Sequence, residues 1–239
     1  MRKIFNTTNL IRFVFATFII SIIFIIIRII LAPAVSPVSD VTTRVKSDYV
    51  LMLIQCIVGL IAMMLPGILK HTLQLNIPSV MLIIYSVFLY AAIYLGEVRN
   101  FYFLIPYWDT VLHTFSGAAL GALGFSLVNL LNKSEPLHLS LTPGFVALFA
   151  FCFAVSLGVI WEIYEFAVDF FLHTNAQKYA LENGELLIGQ EALSDTMKDM
   201  IVDVLGAISM SVTGYISLKY KKGWHDRFMV KSKHKSNRK

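Results

Sequence analysis

This chain lacks disulfides, phosphate loops and the charge density of a water-soluble domain. Only two cysteines occur, Cys56 and Cys152, and both fall inside long apolar runs, so no disulfide framework is implied. There is no Gly-rich loop of the P-loop kind, no Gly-x-Ser-x-Gly elbow and no cysteine pair spaced for zinc. No nucleophile presents itself either, since Ser194 and Thr196 neighbour acids rather than a histidine. Charged residues make up 15% of the chain against 57% hydrophobic, with a mean hydropathy of +0.70. A soluble domain of 239 residues needs far less apolar surface. Several runs reach the roughly 20 residues required to cross a bilayer, and the ten-residue alternation of an outer-membrane barrel is absent. The fold class that remains is all-α, a polytopic membrane bundle.

Six spans are predicted, at about 10–31, 49–69, 77–98, 107–131, 143–171 and 195–218. Residues 1–218 form one transmembrane domain and 219–239 a basic tail. Nine of the 20 Lys and Arg residues lie in those last 21 positions, opposed by Asp226 alone. Directly after a span, such a tail reads as a cytoplasmic anchor on anionic headgroups rather than a nucleic-acid site. An even number of spans puts both termini on one side, and both are basic, so both are expected in the cytoplasm. The short inner loops carry Lys70 and Lys133, whereas the outer loop 172–194 holds Glu182, Glu185 and Glu191 against Lys178. Arg2, Lys3 and Ala32-Pro33-Ala34 also fit a cleavable signal peptide, but the apolar run exceeds a usual h-region and a retained first helix is expected. Spans 2 and 3 read as apolar filler.

The unusual content is acidic. Asp195, Asp199 and Asp203 recur at i, i+4 and i+8, within about an 80° arc of one helix. Glu162, Glu165 and Asp169 fall within about a 60° arc at the end of span 5, and His173 continues that side. In span 4, Asp109 and His113 head a ridge continued by Gly117 and Gly121. Allowing for span direction, all three stripes lie at one depth in the outer half, with small residues below. They hold seven of the 15 acids. Asp195 beside Thr196 also fits a helix N-cap, Asp169 and His173 also fit a solvated headgroup level, and the glycines fit plain helix packing. Glu162, Asp199 and Asp203 are the deepest.

Clustered carboxylates in a low dielectric need compensation. Protons could supply it, giving a relay. Arg28 or Arg99 could fold inward, although snorkelling to the headgroups is the more common behaviour for a residue placed as Arg28 is. Or a divalent cation could bind, Mg²⁺, Mn²⁺ or Ca²⁺ on oxygens, or Zn²⁺ with His113. The ligands would be Asp109, His113, Glu162, Asp199 and Asp203, with Glu165 as a base. The leading reading is a metal-dependent hydrolase or transferase acting from the outer leaflet on an envelope lipid or lipid-linked substrate. A proton- or cation-coupled transporter and a non-catalytic envelope protein with a structural acid network are the alternatives. Against transport, no internal repeat with broken helices is visible.

The ordered set Trp108, Asp109, His113, Gly117, then Trp161, Glu162, Glu165, then Gly189, Gln190, Asp195, Asp199, Asp203 and Gly206 resembles the YjdF-type bacterial membrane proteins. More distantly, its Asp-xxx-His and Asp-xxx-Asp-xx-Gly elements resemble the VanZ-like group. The likeness covers about residues 85–215, the first two spans matching in hydropathy only. It implies a multi-pass protein of the bacterial cytoplasmic membrane, without an agreed chemistry. VanZ-like relatives are associated with glycopeptide tolerance at the envelope. In them the position of Asp203 is often Asn, which puts the weight on Asp109, His113 and Asp199.

Overall fold

A computed structural model describes residues 6–34, 44–133, 141–181, 183–220 and 230–232. The calls on Arg2 and Lys3, on Glu182, and on most of the basic tail lie outside the described residues. Helices form from the apolar runs: α1 is Thr7–Leu31, α2 is Lys46–Thr72 and α3 is Ser79–Leu89. A short α4, Phe101–Leu104, precedes α5, Trp108–Lys133, and then α6, Pro143–Leu172, and α7, Gln190–Lys219. Six of these segments are long and apolar enough to cross a membrane, α3 doing so together with the π-helix that continues it to Val98. Their outer faces carry large apolar side chains such as Ile20, Ile160 and Ile163. That surface suits hydrocarbon rather than water.

Local chemistry sets the helix ends. Asn6 caps α1 by accepting from Thr8 N at 3.2 Å. Thr142 caps α6, accepting from Phe145 N, with Pro143 in the first turn, where its missing N–H costs nothing. Gly189 precedes α7 at φ +64°, a backbone that favours glycine. The N-cap expected at Asp195 is therefore displaced: α7 begins more than a turn earlier, at Gln190, and Asp195 lies within the helix.

Two three-helix groups result. In the first, Val14, Phe18, Ser21 and Ile25 form the buried stripe of α1 and pack on Tyr49, Met52, Cys56, Leu89 and Ile93. The third span, which reads in sequence as apolar filler, is not α-helical throughout. From Tyr90 to Val98 the chain winds as a π-helix, closed by Arg99 N bonding Tyr94 O at 2.9 Å. The second group is α5, α6 and α7. A Cβ on Gly117 would collide with the backbone carbonyl of Asp203, and one on Gly206 with that of Thr114. Here α5 and α7 touch backbone to backbone, as small residues permit in a membrane. Gly124 does the same for α5 and α6, where a Cβ would meet Ala150 Cα at 2.8 Å. The groups meet through Leu51 against Val168 and Ala176, and through the stacked rings of Phe88 and Phe115.

Six alternating crossings bring the start of α1 and the end of α7 to one end of the bundle. A two-residue antiparallel pairing supports this, joining Leu75–Asn76 between α2 and α3 to Lys231–Ser232 beyond α7. The acid-rich ends of α5, α6 and α7 lie at the opposite end.

Candidate functional site

One helical turn separates Asp109 from His113, and His113 Nε2 lies 3.6 Å from Asp109 Oδ1. The close crossing of α5 and α7 brings a second stripe against this pair, with Asp199 Oδ2 3.9 Å from the same nitrogen. One ligand atom from each of Asp109, His113 and Asp199 lies within 4.8 Å of the others. The other ring nitrogen, Nδ1, faces Asp203 Oδ2 at 3.2 Å. Ser116 Oγ donates to Asp203 Oδ1 at 2.7 Å, and Gly158 of α6 leaves room for that carboxylate: a Cβ there would stand 2.8 Å from Oδ2. A proton on Nδ1 donated to Asp203 leaves the Nε2 lone pair turned towards Asp109 and Asp199.

Glu162 approaches from α6. It is 4% exposed, and neither carboxylate oxygen makes a close hydrogen bond, the Thr196 hydroxyl being a donor within its reach. Asp199, His113 and Thr196 surround it. Glu165, half-buried, faces Glu162, Asp199 and Asp195. Asp169 is buried but engaged elsewhere: it accepts from Thr174 Oγ1 at 2.6 Å, Ala176 N at 2.7 Å and Gln177 N at 2.9 Å. Those bonds bind the chain leaving α6 into a tight loop. His173, at φ +52°, is the exposed residue that ends α6 and does not reach the cluster.

The counter-charge is not one of the two arginines weighed as alternatives. Arg28 donates from Nε to Tyr49 OH at 2.9 Å and lies over that ring, in the first helical group. Arg99 lines the same region. The reason is connectivity: both belong to elements packed around α2, whereas the acids sit on α5 to α7. Instead Lys178, presented by the Asp169-bound loop, pairs with Asp109 and, at 3.2 Å, with Asp195. Its Nζ also sits 4.8 Å from the centre of the Tyr102 ring. Burial, with Glu97, Glu165, Asp199 and Asp195 around it, holds the Tyr102 phenol well above its usual range, so it stays protonated. Lys178 and Tyr102 escaped the sequence reading because both lie between spans. The available signal was that Lys178 is the lone cation in an acidic loop.

Residues 10–220 match the family model described as a predicted membrane protein, DUF2238. The chain belongs to this family. The match takes in the first two spans, which the likeness seen in sequence did not cover. An uncharacterized protein of Thermotoga maritima is 34% identical over 131 residues, 54% of this chain and 58% of that relative. The alignment thus spans little more than half of the relative's length. No solved structure matches.

Chemically, this DUF2238 protein gathers Asp109, Glu162, Glu165, Asp195, Asp199 and Asp203 around one imidazole and one ammonium. Ligand atoms on a single small ion stand roughly 3–3.5 Å apart, given metal–ligand lengths of about 2.0–2.2 Å. Nε2 stands 3.6 and 3.9 Å from its two carboxylate neighbours, so small side-chain movements would close such a shell.

Proposed function

We propose that the protein holds a divalent cation on Asp109, His113 and Asp199, with Glu162 as the further carboxylate. We infer that this centre acts on the headgroup of an envelope lipid or lipid-linked substrate at the outer face of the bacterial cytoplasmic membrane. The observation that carries the reading is an Asp-His-Asp set whose ligand atoms already converge, with Glu162 beside it, a buried carboxylate that makes no close hydrogen bond and has the Thr196 hydroxyl as a donor within reach. An uncompensated buried carboxylate is costly, and a cation removes that cost. Bound there, a cation would polarise a phosphoryl or carbonyl oxygen or activate water. Asp203 fixes the His113 ring from its far side, the usual partner of a ligating histidine. In this reading Glu165 would accept a proton, and Lys178 would offset charge on Asp109 and Asp195.

Metal content by mass spectrometry on chelator-free, detergent-purified protein tests this. About one divalent ion per chain is expected in the wild type, lost in Asp199→Ala and His113→Ala. A metal-free wild type, or full occupancy in both variants, overturns it.

The contact between Lys178 and Asp109 favours a second reading, an internal ion network in which the ammonium replaces a metal. Lys178→Met separates the two. With a metal centre the variant keeps its ion. With a network it loses thermal stability, and neither protein carries metal.

A further inference from the structure

A second polar site lies in the first helical group, at the same end of the bundle but on other elements. Arg28 at the end of α1, Arg44 before α2 and Arg99 after the π-helix line one cleft of about 770 Å³, together with Tyr49, Tyr90 and Tyr94. The π-helix makes it: its wide turns stack Tyr90 on Tyr94 at 5.0 Å, and Arg99 closes its last turn. Arg28 is held by the Tyr49 hydroxyl and ring, and Arg44 by Val98 O at 3.2 Å. Among the described residues none of the three forms an ion pair within 4.0 Å. Nothing in the acid cluster uses them.

The rest of the cleft is apolar and open sideways. Phe13, Ile20 and Phe24 of α1 line it and are 57%, 66% and 54% exposed, on a helix that crosses the membrane. A groove with guanidinium groups at one end and a lipid-facing apolar wall along its length matches an amphiphile with an anionic head. Guanidinium is the cation suited to phosphate, giving forked, charge-assisted hydrogen bonds, and tyrosine hydroxyls add neutral donors. We propose that this cleft binds a phospholipid of net negative charge, the phosphate on Arg28, Arg44 and Arg99 with no headgroup cation to compete for it, and one chain along α1. The inference does not depend on a metal at the acid cluster.

The test is native mass spectrometry of the full-length protein with three probes: phosphatidylglycerol, phosphatidylcholine and inorganic phosphate. Phosphatidylglycerol should bind at least about fivefold more tightly than phosphatidylcholine. The double variant Arg28→Gln, Arg99→Gln should weaken it by about tenfold or more, the scale of one or two lost charge-assisted bonds. The single variant Arg99→Gln, at an exposed position, guards against misfolding and should weaken phosphatidylglycerol severalfold with an unchanged melting temperature. Equal binding of the two lipids, or undiminished phosphatidylglycerol binding in both variants, overturns the proposal. So does inorganic phosphate that binds as tightly as phosphatidylglycerol, which would mark a site for the free anion.

Discussion

At the scale of single residues, Asp199 and Asp203 carry the same side chain one turn apart and do different things. Asp199 Oδ2 lies 3.9 Å from His113 Nε2, while Asp203 is engaged by Nδ1 and Ser116. In the proposed metal centre the first would be a ligand and the second the group that holds the ring. Substitution separates the roles. An Asn at 203 keeps an oxygen to accept from Nδ1, and the Ser116 hydroxyl can turn to suit an amide. Asp203→Asn should therefore keep metal binding within about tenfold of wild type. Asp203→Ala should lose about 10- to 100-fold, the usual cost of removing a ligand's orienting partner. Asp199→Asn should cost more than either, because the direct charge is gone. Isothermal titration with Zn²⁺ or Mn²⁺ measures all three, and an Asp203→Asn defect as deep as Asp199→Asn would make Asp203 a ligand.

Among the elements, the spans were legible and the joints between them were not. Runs of about 20 apolar residues identify a membrane helix whatever surrounds it, so the six helices emerge within a few residues of expectation. The acid stripes were legible too, because a helix imposes its 3.6-residue period on any sequence. Periodicity carries no information on which stripe meets which nitrogen of His113, or on where the loop after α6 carries Lys178. Those depend on the α5–α7 crossing, set by Gly117 and Gly206, and on the bonds from Asp169 to the 174–177 backbone. The π-helix was invisible for the same reason, being a matter of bond register rather than composition. The crossing yields a prediction. Gly206→Val would force α7 away from Thr114, an overpacking cost of about 1–3 kcal/mol. It should lower the melting temperature and abolish metal binding together. Gly67→Ala, where an added Cβ meets nothing within 4 Å, is the control and should leave both unchanged. Tight metal binding in Gly206→Val would show that the site does not depend on this crossing.

For the whole molecule, what matters is which face of the membrane the two sites address. Charge bias alone is an uneven guide. Lys70, Lys133 and Lys219 lie towards one end, but Arg28, Arg44, Lys46, Arg99, Lys178 and Lys198 lie towards the other. The positive-inside rule counts cations free to stay in the cytoplasm. Three of those at the far end have internal partners: Lys178 pairs with Asp109 and Asp195, Arg28 is held by Tyr49, and Arg44 by Val98 O. If those three are discounted, the basic tail dominates the bias, and the acid cluster is expected to face outward. Single-cysteine labelling tests this in intact cells, after Cys56 and Cys152 are replaced by Ala. A cysteine at His173, exposed at the acid end, should react with a membrane-impermeant maleimide before permeabilisation. One at Leu73, exposed between α2 and α3, should react only afterwards. The reverse pattern would turn both sites to the cytoplasm and change the pool of substrates, leaving the geometry of the acid cluster and the arginine cleft as it stands.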